Sequence, residues 1–143
     1  MDNIDNNCLP LHMSRNYSFK NPDALYFVSF ATVHWIDVFT RESYFQVLAE
    51  SLAYCRQVKG MQLFAYCIMP SHVHLLFRSA QGNPSGLLRD FKKFTAKKLV
   101  HTICTNPFES RREWLLEMFQ KAGTTKSNIA QYQFWQHHNQ PIA

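Results

Sequence analysis

Two strand-like runs in this chain stand only two residues apart, and that spacing constrains the fold more than any other feature. "MQLFAYCIM" (61–69) and "HVHLLFRS" (72–79) are both rich in apolar residues, and Pro70 and Ser71 alone separate them. Parallel strands need a long crossover, so these two form an antiparallel hairpin. Upstream, "ALYFVSFATVHW" (24–35) carries the β-branched and aromatic residues of a further strand. Between them, Thr40 is placed to cap a helix over "RESYFQVLAESLAYCRQV" (41–58). Tyr44, Val47, Leu48, Ser51, Leu52 and Cys55 fall on one face of it.

After the hairpin, "AQGNPSG" reads as a loop and "LLRDFKKFTAKKLVHTIC" (87–104) as a helix. Leu87, Leu88, Phe91, Thr95 and Leu99 form its apolar side. "FESRREWLLEMFQKAG" (108–123) predicts another helix, with Trp114, Leu115, Met118 and Phe119 as its apolar patch. "TTKSNIA" (124–130) is a loop, and "QYQFWQ" (131–136) alternates like a short strand. The order β-α-β-β-α-α-β defines an α+β chain of ferredoxin-like pattern, an antiparallel sheet with its helices on one face. The other face is left to bind something.

The 143 residues suit one domain. Residues 1–22 read as a polar arm, ordered near Tyr17 and Phe19, and 23–143 as the domain. Four cysteines, Cys8, Cys55, Cys67 and Cys104, never fall in a CxxC pair. That argues for reduced thiols in a cytoplasmic compartment and against a structural zinc site or a disulfide framework. The N-terminus is polar, and no apolar run reaches the length of a membrane span. Lys and Arg number 15 against 10 Asp and Glu, a net charge of +5. Nucleic acid is compatible with that balance without being required by it.

Side chains alternate along a strand, so His72, His74 and Leu76 point one way and Val73, Leu75 and Phe77 the other. The second set suits the core. His72 and His74 then share the open face, with Cβ atoms about 6–7 Å apart, a separation from which two imidazoles can converge on one ion. H-x-H also occurs on sheet surfaces that bind nothing, and two ligands do not close a zinc site. An incomplete site suits a catalytic divalent ion that also holds a phosphate.

Other groups admit two readings. Arg89, Lys92, Lys93, Lys97 and Lys98 face a single acid, Asp90, on the second helix. Arg89, Lys93 and Lys97 form one row, either a solvated face or a phosphate-contacting one. Trp35, Tyr132 and Trp135 are either core residues or base-stacking rings. Asp37 suits a turn better than a metal. His137 and His138 read as exposed loop residues, while His34 and His101 carry no spacing signal.

Context strengthens the histidine pair. "AYCIMPSHVHLLF" resembles the HUH signature of single-tyrosine transposases. "FVSFATVHWIDVFTRESY", "LRDFKKFTAKKL", "SRREWLLEMF" and "YQFWQHHNQPI" resemble, in order, the REP-associated tyrosine transposases of the insertion-sequence 200-like group. The resemblance covers residues 24–142. It implies a ferredoxin-like endonuclease and strand transferase acting on single-stranded DNA beside hairpins. His72 and His74 would hold Mg²⁺ or Mn²⁺ at the scissile phosphate, and Arg89, Lys92, Lys93 and Lys97 would contact phosphates. A tyrosine would form a 5′-phosphotyrosine link. In that family the tyrosine follows the segment matching "FWQHHNQPI", so the nucleophile is expected beyond Ala143 and the domain to be C-terminally incomplete. Tyr132, with Gln136 four residues on, is the fallback. The family contains both monomers and homodimers. The rivals are a module of the same fold that binds single-stranded or hairpin DNA without cleaving it, and a ferredoxin-like domain for RNA or protein.

Overall fold

The computed structural model describes residues 18–123 and 132–143. Cys8, Tyr17 and the loop expected over 124–130 lie outside the described residues. The chain forms β1 (Tyr26–Ala31), a 3₁₀ turn (Val33–Trp35), α1 (Glu42–Val58), β2 (Met61–Ile68), β3 (His72–Ser79), α2 (Pro84–Thr105) and α3 (Arg112–Gly123). The sheet order is β1-β3-β2, and β3 pairs antiparallel with both neighbours. The α+β class and the antiparallel sheet with three helices are those the sequence predicts.

The strictest alternation falls on the central strand. Val73, Leu75 and Phe77 are fully buried, while His72, His74 and Leu76 are half-buried on the opposite face. Against the first set pack the α1 stripe from Tyr44 to Cys55 and the α2 stripe Leu87, Leu88, Phe91, Thr95 and Leu99, all buried. In α3, Leu115 and Phe119 are buried, and Trp114 is 48% exposed. At the start of the described chain, Phe19 sets its ring 4.8 Å from that of Tyr26, so the end of the polar arm closes the core.

Element boundaries depart from the sequence reading for local reasons. β1 ends at Ala31 rather than at Trp35, because the Thr32 hydroxyl donates to the Ile36 carbonyl at 2.8 Å and folds the chain over. α1 starts at Glu42, with Arg41 rather than Thr40 at the cap. α2 starts three residues early, because "NPSG" is its cap: Asn83 Oδ1 accepts from the Gly86 N–H at 3.1 Å, and Pro84 opens the helix. α3 begins at Arg112, after a turn built around Glu109.

Of the short strand expected over 131–136, the described residues 132–136 keep one isolated bridge, Trp135 with Thr32, while further on Ile142 bridges to Phe27 of β1. A strand must alternate its side chains, yet Phe134 and Trp135 are both buried. Trp135 sets its ring 4.9 Å from Phe30 and donates its indole N–H to Thr95 Oγ1 at 3.0 Å. Turning both rings inward breaks the ladder, and residues 136–139 arch away to meet α2.

Candidate functional site

Register assembles the site. Antiparallel pairing sets Ser29 opposite His74, Ala31 opposite His72 and Phe27 opposite Leu76. The two imidazole rings stand 5.0 Å apart between centroids at 81°. His74 Nδ1 lies 2.7 Å from Ser29 Oγ, and His72 Nδ1 lies 3.2 Å from Ser71 Oγ. Both rings therefore use the same nitrogen on a serine. Neither Nε2 has a hydrogen-bond partner among the described residues. A ring nitrogen left open while its partner is tied is the arrangement of a metal-binding histidine.

Aromatic rings hold the imidazoles from outside. Phe27 stacks on His74 at 5.6 Å and 11°, and Trp35 meets His72 edge to face at 5.9 Å. Burial, and then the neighbouring His72, lower the pKa of His74 below that of an ordinary imidazole. It is thus neutral at physiological pH, the form that ligates. Among the described residues no third His, Cys, Asp or Glu joins the pair into a cluster of metal-binding composition. Two imidazoles with unused Nε2 atoms fit an ion that draws its remaining ligands from substrate and water.

The basic residues of α2 divide into two groups. Lys93, Lys97 and Lys98 border a groove of about 790 Å³ between α1 and α2, floored by Val47, Leu87 and Phe91. This groove is in the helix layer, across the sheet from the histidines. Arg89 is exposed, 3.4 Å from the Asp90 carboxylate. Lys92 instead turns toward the C-terminal segment, donating to the Gln136 carbonyl at 2.7 Å and to Asn139 Oδ1 at 2.6 Å. Its ammonium stands 5.3 Å from the Phe30 ring centre, and burial lowers its pKa to about 8.

The remaining candidates are dispersed. Asp37 accepts from Arg111 Nη1 at 2.7 Å, which gives it a structural partner. His137 and His138 are exposed and line a separate hollow with Phe19 and Pro141. Tyr26 and Tyr44 are buried, and Tyr54 borders the helical groove. Tyr66 pairs with Leu75, on β3's core-facing set. Tyr132 is 47% exposed, next to Gln133, whose N–H donates to Phe119 in α3. Ser29, Ser71 and Phe27 escaped sequence reasoning. Alternation groups Phe27 with Ser29, but only the register reveals which histidine they meet.

Fold and site together define a class: an α+β domain whose open sheet face presents a pair of imidazoles, each anchored through Nδ1. The sequence profile described as "Transposase IS200 like" matches residues 26–122, more than half of the chain. The protein belongs to the IS200-like transposase family, whose members act on DNA. No curated protein matches the chain. Among the described residues no helix is long and apolar enough to cross a membrane.

Proposed function

We propose that this protein is a metal-dependent, single-tyrosine HUH enzyme of the REP-associated kind, cutting and joining single-stranded DNA beside hairpins. The observation that carries this reading is the open Nε2 of both His72 and His74 on the sheet face away from the helices. These two residues would hold Mg²⁺ or Mn²⁺, which supplies charge neutralisation at the scissile phosphate. Ser29 and Ser71 orient the rings, and Phe27 and Trp35 confine them. In the reaction a tyrosine hydroxyl gives up its proton and attacks phosphorus. The P–O3′ bond breaks, O3′ leaves with the electron pair and takes a proton, and a 5′-phosphotyrosine remains. The bond energy stays in the covalent link, so a later strand is joined without a nucleotide cofactor. Lys93 and Lys97 would contact phosphates, in a manner sensitive to salt and indifferent to sequence. A cytoplasmic location, on the nucleoid when bound to DNA, accords with this activity.

Manganese titration by calorimetry tests the assignment. The wild type should bind Mn²⁺, and His72→Ala and His74→Ala should each abolish binding while folding normally. If both variants bind as the wild type does, the pair is not the site.

A second reading is a module that binds the same DNA without cleaving it. Its support is that neither tyrosine of the strands, Tyr26 opposite Phe77 or Tyr66 opposite Leu75, shares the sheet face of the histidines, and Tyr44 and Tyr54 lie on α1. Incubation with a labelled hairpin-flanked single strand and Mn²⁺ separates the two. An SDS-resistant protein–DNA adduct eliminates the module, and binding without an adduct favours it.

A further inference from the structure

The turn after β1 combines three properties that ordinary surface turns lack together. His34 and Trp35 both have φ of 54°, a left-handed conformation that residues bearing a Cβ avoid. Histidine is among the types found there more often, with glycine, asparagine and aspartate, but tryptophan is not. Trp35 is also 63% exposed, the most exposed of the chain's three tryptophans. Finally, its ring touches His72.

The strain is held in place from both ends. Val33 and Ile36, on either side of the two strained residues, are each 5% exposed and sit in the core. The Val33 N–H donates to the Phe134 carbonyl at 2.9 Å, and the Thr32 N–H to the Ser71 carbonyl at 2.9 Å. Thr32 Oγ1 also donates to Ile36 and Ser71 carbonyls. The fold thus anchors both flanks of a two-residue projection and puts its largest, flattest apolar side chain into water. A relaxed turn with a polar residue would connect β1 to α1 equally well. Strain that the surroundings enforce is a mark of functional positions.

We propose that Trp35 is the stacking platform for an unpaired base of the DNA strand whose phosphate lies at His72 and His74. The proposal rests on the reading of the pair as a single-strand site and deepens it. An indole face accepts any base, because every base has a π face. Its edge contact with His72 fixes how far that base stands from the phosphate position. A paired base has no free face to offer, so the platform selects single strands. Phe27, 41% exposed and stacked on His74, bounds the other side of the pair.

The test measures binding of a single-stranded oligonucleotide carrying 2-aminopurine, at low salt with EDTA present, so that metal plays no part. The wild type should bind and quench the probe. Trp35→Ala should weaken binding about 10-fold and abolish the quench, whereas Trp35→Phe should keep most of both. Trp114→Ala, which removes the exposed tryptophan of α3, should bind like the wild type. If Trp35→Ala binds the oligonucleotide as the wild type does, the platform is refuted while the metal site stands. A loss equal to that of Trp114→Ala refutes it too. If the wild type binds no single strand, the single-strand reading and the platform fall together.

Discussion

Two polar clusters in this molecule have opposite designs. Around Glu109 every group is used. Its side chain is fully buried and accepts from Arg41 Nε at 2.8 Å, the Tyr44 hydroxyl at 2.9 Å and the Arg111 N–H at 3.1 Å. Asn106 closes the set by donating to the Tyr44 oxygen at 3.1 Å. Burial alone would raise the Glu109 pKa. The Arg111 N–H, Tyr44 and Arg41 bonds, with the Arg41 charge, outweigh it and hold the carboxyl below its usual range. At the histidine pair, by contrast, half the ring nitrogens remain open. A cluster that closes on itself serves the fold, and one that keeps capacity in reserve serves a ligand.

The largest expected effect tests the closed cluster. Glu109→Ala strands Arg41 and the Tyr44 hydroxyl and should cost about 3 kcal/mol in urea unfolding. His72→Ala and His74→Ala, which orphan no buried partner, should each change stability by less than about 1 kcal/mol. Equal costs at the two places would erase the distinction.

Next comes the anchoring of the imidazoles. Ser29→Ala should weaken Mn²⁺ binding about 10-fold, as loss of an outer hydrogen-bond partner does, with Ser29→Thr restoring it. The nitrogen-15 shifts of His74 should show the proton leaving Nδ1 in the alanine variant. Unchanged affinity and shifts would mean that the serine merely neighbours the ring.

Acid should separate the clusters by pH. The folded pKa of His74 is lowered, so as pH falls below about 6.5 the unfolded chain takes up the proton first. Its contribution is present above that value and is lost as pH falls through the folded pKa. The Glu109 contribution persists until pH drops below about 4.3, the unfolded glutamate value, and fades through its lower folded pKa. Urea midpoints measured from pH 7.5 to 3.5 should fall in two stages, with His74→Ala flattening the upper stage alone.

The smallest effect concerns the strained turn. His34→Gly should stabilise the protein by about 0.5–1 kcal/mol, since glycine tolerates positive φ and loses only part of that gain to unfolded-chain entropy. A destabilised glycine variant would show that the His34 side chain contributes to the turn.

Much of this could be read from sequence where one period governs. The apolar stripes of α1 and α2 and the alternation of β3 are one-dimensional patterns, and each buried residue named from them is buried in the fold. His72 and His74 were legible for the same reason. Ser29 was not, because its meeting with His74 depends on strand register, and Phe27 depends on it too. The inward turn of Lys92 depends on where residues 136–139 arch, which no local period encodes. The strand expected at 131–136 failed where two adjacent aromatic rings both sought the core.

That arch gives the molecule a mechanical property. Lys92 holds Asn139 through its side chain at 2.6 Å, the Asn139 carbonyl accepts from the Ser29 N–H at 2.9 Å, and Ser29 Oγ reaches His74 Nδ1 at 2.7 Å. Helix and imidazole are thus the two ends of a short strut. Its middle is a loop rather than a strand, so its length is set by three hydrogen bonds and not by the stiffness of a ladder. The orientation of one ring on the open face is gauged against a helix on the far side of the sheet.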